Sequence, residues 1–149
     1  MTAGLALLLA LAPVPAVSEP SRGTEEATSS PAAADADVAY NRGLRARIAR
    51  DWPSAVDAFR RAIALRADHA DAWNELGYAL RNQGRYAESL DAYDEALRLR
   101  PDFPEALEYL GEAYVKMGRL DDARRVLDRL RPLDAARAGE LAEELAKAK

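Results

Sequence analysis

The chain lacks cysteine altogether and has a single histidine, His69, among its 149 residues. The absence of cysteine excludes disulfides, thiolate metal sites, a cysteine nucleophile and the lipid-bearing cysteine of a bacterial lipoprotein. One histidine without cysteines gives little basis for zinc. Catalysis needs a nucleophile–base pair, a metal cluster or a polarised cofactor site. The sequence offers none of these, so it predicts no enzyme, no metal and no cofactor.

A strong charge of one sign is also lacking, because the net charge is only −4. Arginines cluster between residues 42 and 66, but Asp51 and Asp57 interrupt them. Nucleic-acid binding needs a concentrated basic face, so nucleic acid is not expected as a partner. Strand-like runs of valine, isoleucine and threonine are missing, and the helix formers alanine, leucine, arginine and glutamate dominate. This composition predicts an all-α protein.

The longest apolar run, Leu5–Ala12, is too short to cross a bilayer, which takes about 20 apolar residues. Pro13, Pro15 and the small residue Ala16 follow it, as in a secretory signal. We therefore expect residues 1–16 to be a signal peptide that directs the protein to the bacterial periplasm or outside the cell. No lysine or arginine precedes the run. The alternatives are an uncleaved leader acting as a weak membrane anchor and an apolar leader on a cytosolic protein.

Residues 17–35 are rich in serine, proline, glutamate, threonine and alanine, with no large apolar side chain beyond Val17. Such a segment buries too little surface to offset the entropy lost on ordering. It is predicted to be a disordered linker, either a passive spacer or a recognition tail.

Three glycines, Gly43, Gly77 and Gly111, stand 34 residues apart, and the residues around each glycine repeat with it. A fixed period of 34 is typical of stacked copies of one antiparallel helix pair. A glycine inside a helix costs about 1 kcal/mol relative to alanine, so the repeated glycine indicates a close approach of two helices. Three further columns share the period: Phe59, Tyr93, Leu127; Ala55, Ser89, Ala123; and Ala46, Leu80, Tyr114.

The middle copy reads Trp73-x-x-Leu76-Gly77, then Gly84-x-Tyr86, Tyr93, Ala96 and Pro101, and it resembles the tetratricopeptide repeat family. The resemblance implies an antiparallel helix-hairpin solenoid with repeats at 36–69, 70–103 and 104–131. In the first copy, Ala39 and Arg42 replace Trp73 and Leu76, so its opening helix either frays or meets another molecule. Residues 133–149 form a last amphipathic helix, predicted to cap the solenoid or, alternatively, to mediate oligomerisation.

The resemblance also implies a concave groove lined by the first helix of each repeat. Tyrosine and arginine commonly anchor interfaces. Arg47 and Arg81 share one phase of the repeat, so we expect both to face one carboxylate of an extended peptide. The alternative is that these positions are solvated helix faces and that contact is made elsewhere. The predicted groove residues are Tyr40, Leu44, Arg47, Asn74, Tyr78, Arg81, Asn82, Glu108, Glu112 and Lys116.

One binding mode of the family is excluded by its positions. Repeats that clamp the C-terminal carboxylate of heat-shock chaperones use lysine, asparagine and basic residues at five positions. Here these positions carry Tyr40, Leu44, Glu75, Glu105 and Tyr109, and the two glutamates would repel a carboxylate. The sequence predicts a scaffold or adaptor for another protein or peptide. The alternative is a structural subunit that assembles through the solenoid ends.

Overall fold

The computed structural model describes residues 30–148, and this part of the chain is entirely helical. Three antiparallel helix pairs follow one another and are completed by a final helix. The seven helices are α1 (Pro31–Ile48), α2 (Trp52–Leu65), α3 (Ala70–Asn82), α4 (Tyr86–Leu99), α5 (Pro104–Lys116), α6 (Leu120–Leu130) and α7 (Ala135–Lys147). The predicted all-α helix-hairpin solenoid is confirmed. The predicted signal segment, residues 1–16, and residues 17–29 of the predicted linker lie outside the described residues.

The first helix begins five residues earlier than expected, at Pro31 rather than Ala36. Ser30 accepts a hydrogen bond from the Ala33 N–H (3.2 Å), and Pro31 occupies a first-turn position where a missing N–H costs nothing. The disorder expected for residues 17–35 therefore does not extend over residues 31–35. The helix is continuous despite its poor apolar face, because the small residues Ala36, Ala39 and Gly43 pack closely.

The turn inside each repeat requires one residue with a left-handed backbone. Gly84 and Gly118 have φ values of 75° and 72°. The equivalent position in the first repeat is Arg50, with φ 56°. Glycine adopts this conformation without strain, whereas an L side chain there costs about 1–2 kcal/mol.

The glycine column packs under a large side chain of a partner helix. A Cβ built on Gly43 would lie 2.5 Å from Cε1 of Phe59, and one on Gly77 would lie 2.6 Å from Cε1 of Tyr93. Phe59 and Tyr93 are fully buried. The small residues Ala55 and Ser89 are also buried in the second helices, but the aromatic rings, rather than these residues, give the glycine column its steric requirement.

The third repeat departs from this arrangement. A Cβ on Gly111 would clash with Cδ2 of Leu141 in α7, and Leu127 of α6 is not among its nearest neighbours. Helix α7 packs against both α5 and α6 and buries Ala138, Leu141 and Leu145. The predicted packing of the last helix onto the open end of the array is therefore present in the structure.

Candidate binding groove

The first helices of the three repeats form the inner side of the array. The backbone of α3 lies close to those of both α1 and α5, whereas the backbones of the second helices α2, α4 and α6 lie farther from one another. Helices α2 and α4 meet through a side-chain ion pair between Arg60 and Glu88 (3.2 Å). The inner helices are therefore closer together, and the surface they share is the concave one. The predicted groove residues all lie on α1, α3 and α5.

Arg47 and Arg81, which share one phase of the repeat, form ion pairs with residues of the following repeat and are not free side chains in the groove. Arg47 forms an ion pair with Glu75 (Nε–Oε2 3.2 Å), and its guanidinium lies 4.4 Å from the centre of the Tyr78 ring. One repeat further on, Arg81 pairs with Glu112 and lies 5.3 Å from the Tyr109 ring centre. Each arginine thus contacts residues 28 and 31 positions ahead, and the column joins neighbouring repeats. The expected joint presentation of both guanidinium groups to one ligand carboxylate is not seen in this structure.

Aromatic rings continue along the groove between the arginines. Tyr78 lies 5.0 Å from Tyr109 and 5.9 Å from Trp52, measured between ring centroids. Arg47 and Arg81 both lie over the Tyr78 ring. A guanidinium over an aromatic face is attracted by the ring quadrupole. The floor of the groove is therefore a rigid row of alternating cationic and aromatic groups.

The acidic side chains that α5 presents along the groove, Glu105, Glu108 and Glu112, form a wall whose charges are largely paired. Glu108 is buried and forms an ion pair with Arg137 of α7, and Glu112 pairs with Arg81. Glu105 instead accepts a hydrogen bond from the Tyr109 hydroxyl (3.1 Å). Within residues 30–148, Glu105 has no cationic partner within 4.0 Å. Glu105 is thus the carboxylate of this wall that is open to a ligand.

Glu75 is the most perturbed carboxylate of the groove. Its side chain is buried, and removal from water raises its pKa to about 7, with further increases from Glu105 and Asp71. The Arg47 guanidinium acts in the opposite direction and does not cancel these effects. A carboxyl group with such a pKa is partly protonated at neutral pH.

The remaining predicted residues have different settings. Tyr40 is half-buried, and its ring lies 4.7 Å from the imidazole of His69. Leu44 packs against the buried apolar cluster that contains Phe59 and Leu76. Asn74 is buried, and its Oδ1 lacks a hydrogen bond. Asn82 and Lys116 are exposed at the same phase of successive repeats. The structure therefore brings Arg47, Tyr78 and Arg81 together and places Tyr40 beside His69. It leaves Asn82 and Lys116 at the accessible rim.

Two ion pairs bind groove helices to the segments that follow the second helices. The guanidinium of Arg66, just after α2, binds Asp37 of α1 at 2.9 Å. Arg100, just after α4, binds Asp71 of α3 through two contacts of 3.0 and 2.9 Å. Because the same link recurs after 34 residues, it belongs to the repeat, and Asp37 and Asp71 are held by these arginines.

Three groove residues were missed in the predicted set: Trp52, Glu75 and Tyr109. Glu75 and Tyr109 occupy the same phase, 34 residues apart, next to the predicted Asn74 and Glu108. The repeat pattern can therefore predict that Glu75 and Tyr109 face the groove. It cannot predict that Arg47 donates hydrogen bonds to both of them. Trp52 begins α2, outside the first helices, so the groove pattern carries no signal for it.

Neither a membrane span nor a metal cluster is found in the part of the chain that the structure describes. None of the seven helices combines the length and apolar character needed to cross a bilayer. No three histidine or acidic side chains among residues 30–148 are grouped as metal ligands. The surface that stands out is the aromatic and charged groove.

The fold and groove define a class: a helical solenoid that presents a concave surface. Two family models match the chain, one described as TPR repeat over residues 77–118 and one as tetratricopeptide repeat over residues 58–91. Together the two matches span residues 58–118, which are similar to tetratricopeptide repeats, as the sequence pattern indicated. No curated protein sequence matches the chain.

Solved structures with the same fold span most of the described helices. The TPR2B domain of yeast Sti1, solved with pHsp70, is 21% identical over 78% of this chain and 99% of its own, with a TM-score of 0.74. The TPR domain of Arabidopsis OM64 is 18% identical over 79% and 99%, with a TM-score of 0.75. MamA is 29% identical over 76% of this chain and 61% of its own, with a TM-score of 0.60. These matches establish the fold.

Proposed function

We propose that this protein is an interaction scaffold that binds a peptide or protein partner in the groove of α1, α3 and α5. The observation that carries the proposal is the row of Trp52, Tyr78 and Tyr109, held between arginines on the concave face. Rigid aromatic rings give contact area with little loss of side-chain entropy, and they are enriched at interfaces. An affinity in the micromolar range, about −8 kcal/mol, is expected.

The structural neighbours support this use of the fold. A repeat domain of yeast Sti1 was solved with pHsp70, and the first repeat domain of Spaghetti (RPAP3) was solved with an HSP90 peptide. A chaperone carboxylate is not the proposed ligand here. Glu75 and Glu105 occupy two of the five positions that would have to hold it.

We further propose that the scaffold acts in the bacterial periplasm or outside the cell. The support is the apolar run Leu5–Ala12 followed by Pro13, Pro15 and Ala16. Expression of the full chain with a C-terminal tag, followed by cell fractionation and N-terminal sequencing, tests this point. A tagged protein found in the cytoplasm with an intact Met1 contradicts export.

Site-specific photo-crosslinking tests the groove. A photoreactive residue replaces Asn82 or Lys116 at the groove rim, and a matched control replaces Arg98 on the outer helix α4; all three positions are exposed. These positions are preferable to Tyr78 and Arg81, whose removal would also break contacts between repeats. We expect the same partner to be crosslinked from both rim positions and not from Arg98. Equal crosslinking from all three positions rejects the groove.

A second candidate function is assembly through the ends of the solenoid. A depression of about 410 Å³ on the first repeat, between α1 and α2, favours this function. It is lined by the exposed Val38 together with Arg42, Asp57 and Arg61. Light scattering of the purified chain separates the two functions. A scaffold of the proposed kind is monomeric without its partner, whereas an assembly subunit gains mass with concentration.

A further inference from the structure

A single guanidinium lies between two acidic side chains in the middle of the groove. The Tyr109 hydroxyl donates to Glu105 Oε1 at 3.1 Å, and Arg47 Nη2 donates to the Tyr109 oxygen at 3.5 Å. On its other side, Arg47 Nη1 donates to Glu75 Oε1 at 3.3 Å. These hydrogen bonds connect Glu75 of α3, Arg47 of α1 and two residues of α5, Tyr109 and Glu105. We use the name acidic notch for the groups around Arg47, namely Glu75, Glu105, Tyr109 and the neighbouring Tyr40.

Negative charge is in excess at the acidic notch. Glu75 pairs directly with Arg47, whereas Glu105 is linked to that guanidinium only through the Tyr109 hydroxyl. The nearby Asp71 is already neutralised by Arg100. The phenol groups respond to the same field: burial, followed by the charges of Glu75, Asp71 and Glu105, raises the pKa of Tyr40 to about 12. Burial and Glu105 also raise the pKa of Tyr109. One more positive charge would balance this part of the groove.

The buried carboxylate of Glu75 is incompletely satisfied. The residue is only 6% exposed, and its Oε2 accepts no well-directed hydrogen bond, although Arg47 Nε lies 3.2 Å away. A buried carboxylate oxygen without a hydrogen bond is costly. A donor that carries positive charge would relieve both the charge excess and the missing hydrogen bond.

The aromatic rings around the acidic notch suit the rest of a basic side chain. Tyr40 and Tyr109 contribute to it, and Tyr78 lies 5.0 Å from Tyr109. The methylene stem of a lysine or arginine packs on such rings while its cationic end reaches a carboxylate. An acidic side chain would instead meet Glu75 and Glu105. Charge complementarity therefore selects a cation.

We propose that the acidic notch receives a lysine or arginine side chain of the peptide that the groove binds. The inference rests on the proposed groove function and specifies the chemistry of its partner. It reverses the polarity of a carboxylate clamp at the same positions, with Glu75 and Glu105 as the residues that select the ligand.

Three acetylated and amidated alanine pentapeptides test the proposal, with lysine, norleucine or glutamate at the centre. They are titrated into the ¹⁵N-labelled full-length chain, and amide shifts are followed by NMR. We expect saturating shifts on α1, α3 and α5 with the lysine peptide, at about tenfold lower Kd than with the norleucine peptide. No saturation with lysine, or equal affinity for the glutamate peptide, overturns the proposal.

Two substitutions localise the effect. Glu105→Gln keeps the size of the side chain and removes its charge, so it should weaken lysine-peptide binding about tenfold. Glu143→Gln on α7 makes the same charge change at an exposed site away from the groove, and it should leave binding unchanged. If both variants weaken binding equally, only net charge matters, and the acidic notch is not the site.

The pH dependence gives a separate readout for Glu75. Since its pKa is about 7, ionisation should tighten lysine-peptide binding several-fold between about pH 6 and about pH 8. The groups that face Glu75 are Arg47, Tyr40, Asp71, Glu105 and Tyr109. The pKa shifts of Arg47, Tyr40, Asp71 and Tyr109 move each of these four groups away from this range. Glu75→Gln should therefore flatten the profile; an unchanged profile in this variant overturns the role of Glu75.

His69 is a second titratable group near the acidic notch, because its ring lies 4.7 Å from that of Tyr40. Burial and Arg66 lower its pKa below its usual value of 6.5, so it is mostly neutral above that pH. If the pH profile of His69→Asn is unchanged, His69 is not the group that causes the pH dependence.

Partner crosslinking from Asn82 and Lys116 without a preference for lysine would refute this inference alone. Loss of that crosslinking would refute the groove itself.

Discussion

At the scale of single residues, the structure shows which positions follow the repeat and which violate it. Arg50 has the left-handed backbone that Gly84 and Gly118 adopt one and two repeats later. The period of 34 places these three residues in one column, so the conformation at residue 50 follows from the repeat while the residue itself opposes it. An L side chain with positive φ stores strain.

Replacing Arg50 with glycine should relieve that strain. The gain of about 1–2 kcal/mol is partly offset by about 0.4–1 kcal/mol, because glycine makes the unfolded chain more flexible. We expect Arg50→Gly to raise the free energy of unfolding by about 0.5–1 kcal/mol in urea titrations. Gly84→Ala is the matched control and should lower it by a similar amount; a gain in both would show that backbone strain is not the cause.

A second residue-scale prediction concerns Glu75, whose pKa is raised from 4.5 to about 7. The folded protein holds a proton on Glu75 that the unfolded chain has lost, so this residue's contribution to stability falls as the pH rises from about 4.5 to about 7. Urea unfolding of wild type and Glu75→Gln measures the difference. Wild type should lose stability relative to the variant across this window; a pH-independent difference would contradict the raised pKa.

At the scale of helices, the glycine column sets the distance between the two members of a hairpin. The period alone predicted a close approach, and it is present where Gly77 meets the ring of Tyr93. The identity of the contacting group was not predictable from spacing, since Ser89 and Tyr93 share one helix and both are buried. The side chain that reaches the glycine depends on helix rotation, which a linear pattern leaves undetermined.

Gly77→Ala tests this packing. The new Cβ would lie 2.6 Å from a fully buried ring that has no room to move, and overpacking of this kind costs about 1–3 kcal/mol. We expect a loss of about 2 kcal/mol in the free energy of unfolding. The control is Gly139→Ala in α7, where a Cβ meets nothing within 4 Å and where alanine should add up to about 1 kcal/mol. A loss in both variants would point to a cause other than the ring.

The groove illustrates where the predictive power of the sequence ends. The repeat phase placed Arg47, Tyr78 and Arg81 on two of the inner helices, α1 and α3, where the structure has them. It did not anticipate that Arg47 pairs with Glu75 and Arg81 with Glu112. Those pairs depend on the stacking of one repeat on the next, which brings together residues 28 and 31 apart. The position of a residue within its own repeat does not tell which residue of the next repeat it will contact.

At the scale of the whole molecule, stability depends on contacts between neighbouring layers. Helix α7 contacts α5 and α6, and it inserts Leu141 next to Gly111. In a solenoid each unit is stabilised by its neighbours, so the terminal unit carries a large share of the stability of the layer beneath it. The length of α7 and its apolar stripe were predictable, but its direct contact with the glycine column was not.

Leu141→Ala should destabilise the protein by about 2–5 kcal/mol, because Leu141 is fully buried and its loss leaves a cavity beside Gly111. Urea unfolding measures the loss. Removing residues 134–149 should destabilise further, and light scattering then separates the two functions. A scaffold stays monomeric after the truncation, whereas a subunit that assembles through α7 falls in mass.

The contact between Gly111 and Leu141 also sets a condition on any extension of this array. In the first two repeats the glycine is covered from within its own hairpin, by Phe59 or Tyr93, so such a repeat can be followed by another. The third repeat has Leu127 at that position and takes its cover from α7. A fourth repeat grafted in place of α7 would therefore have to supply its own side chain over Gly111, unless Leu127 were replaced by an aromatic residue. One leucine in place of an aromatic ring thus makes the third repeat depend on the helix that follows it.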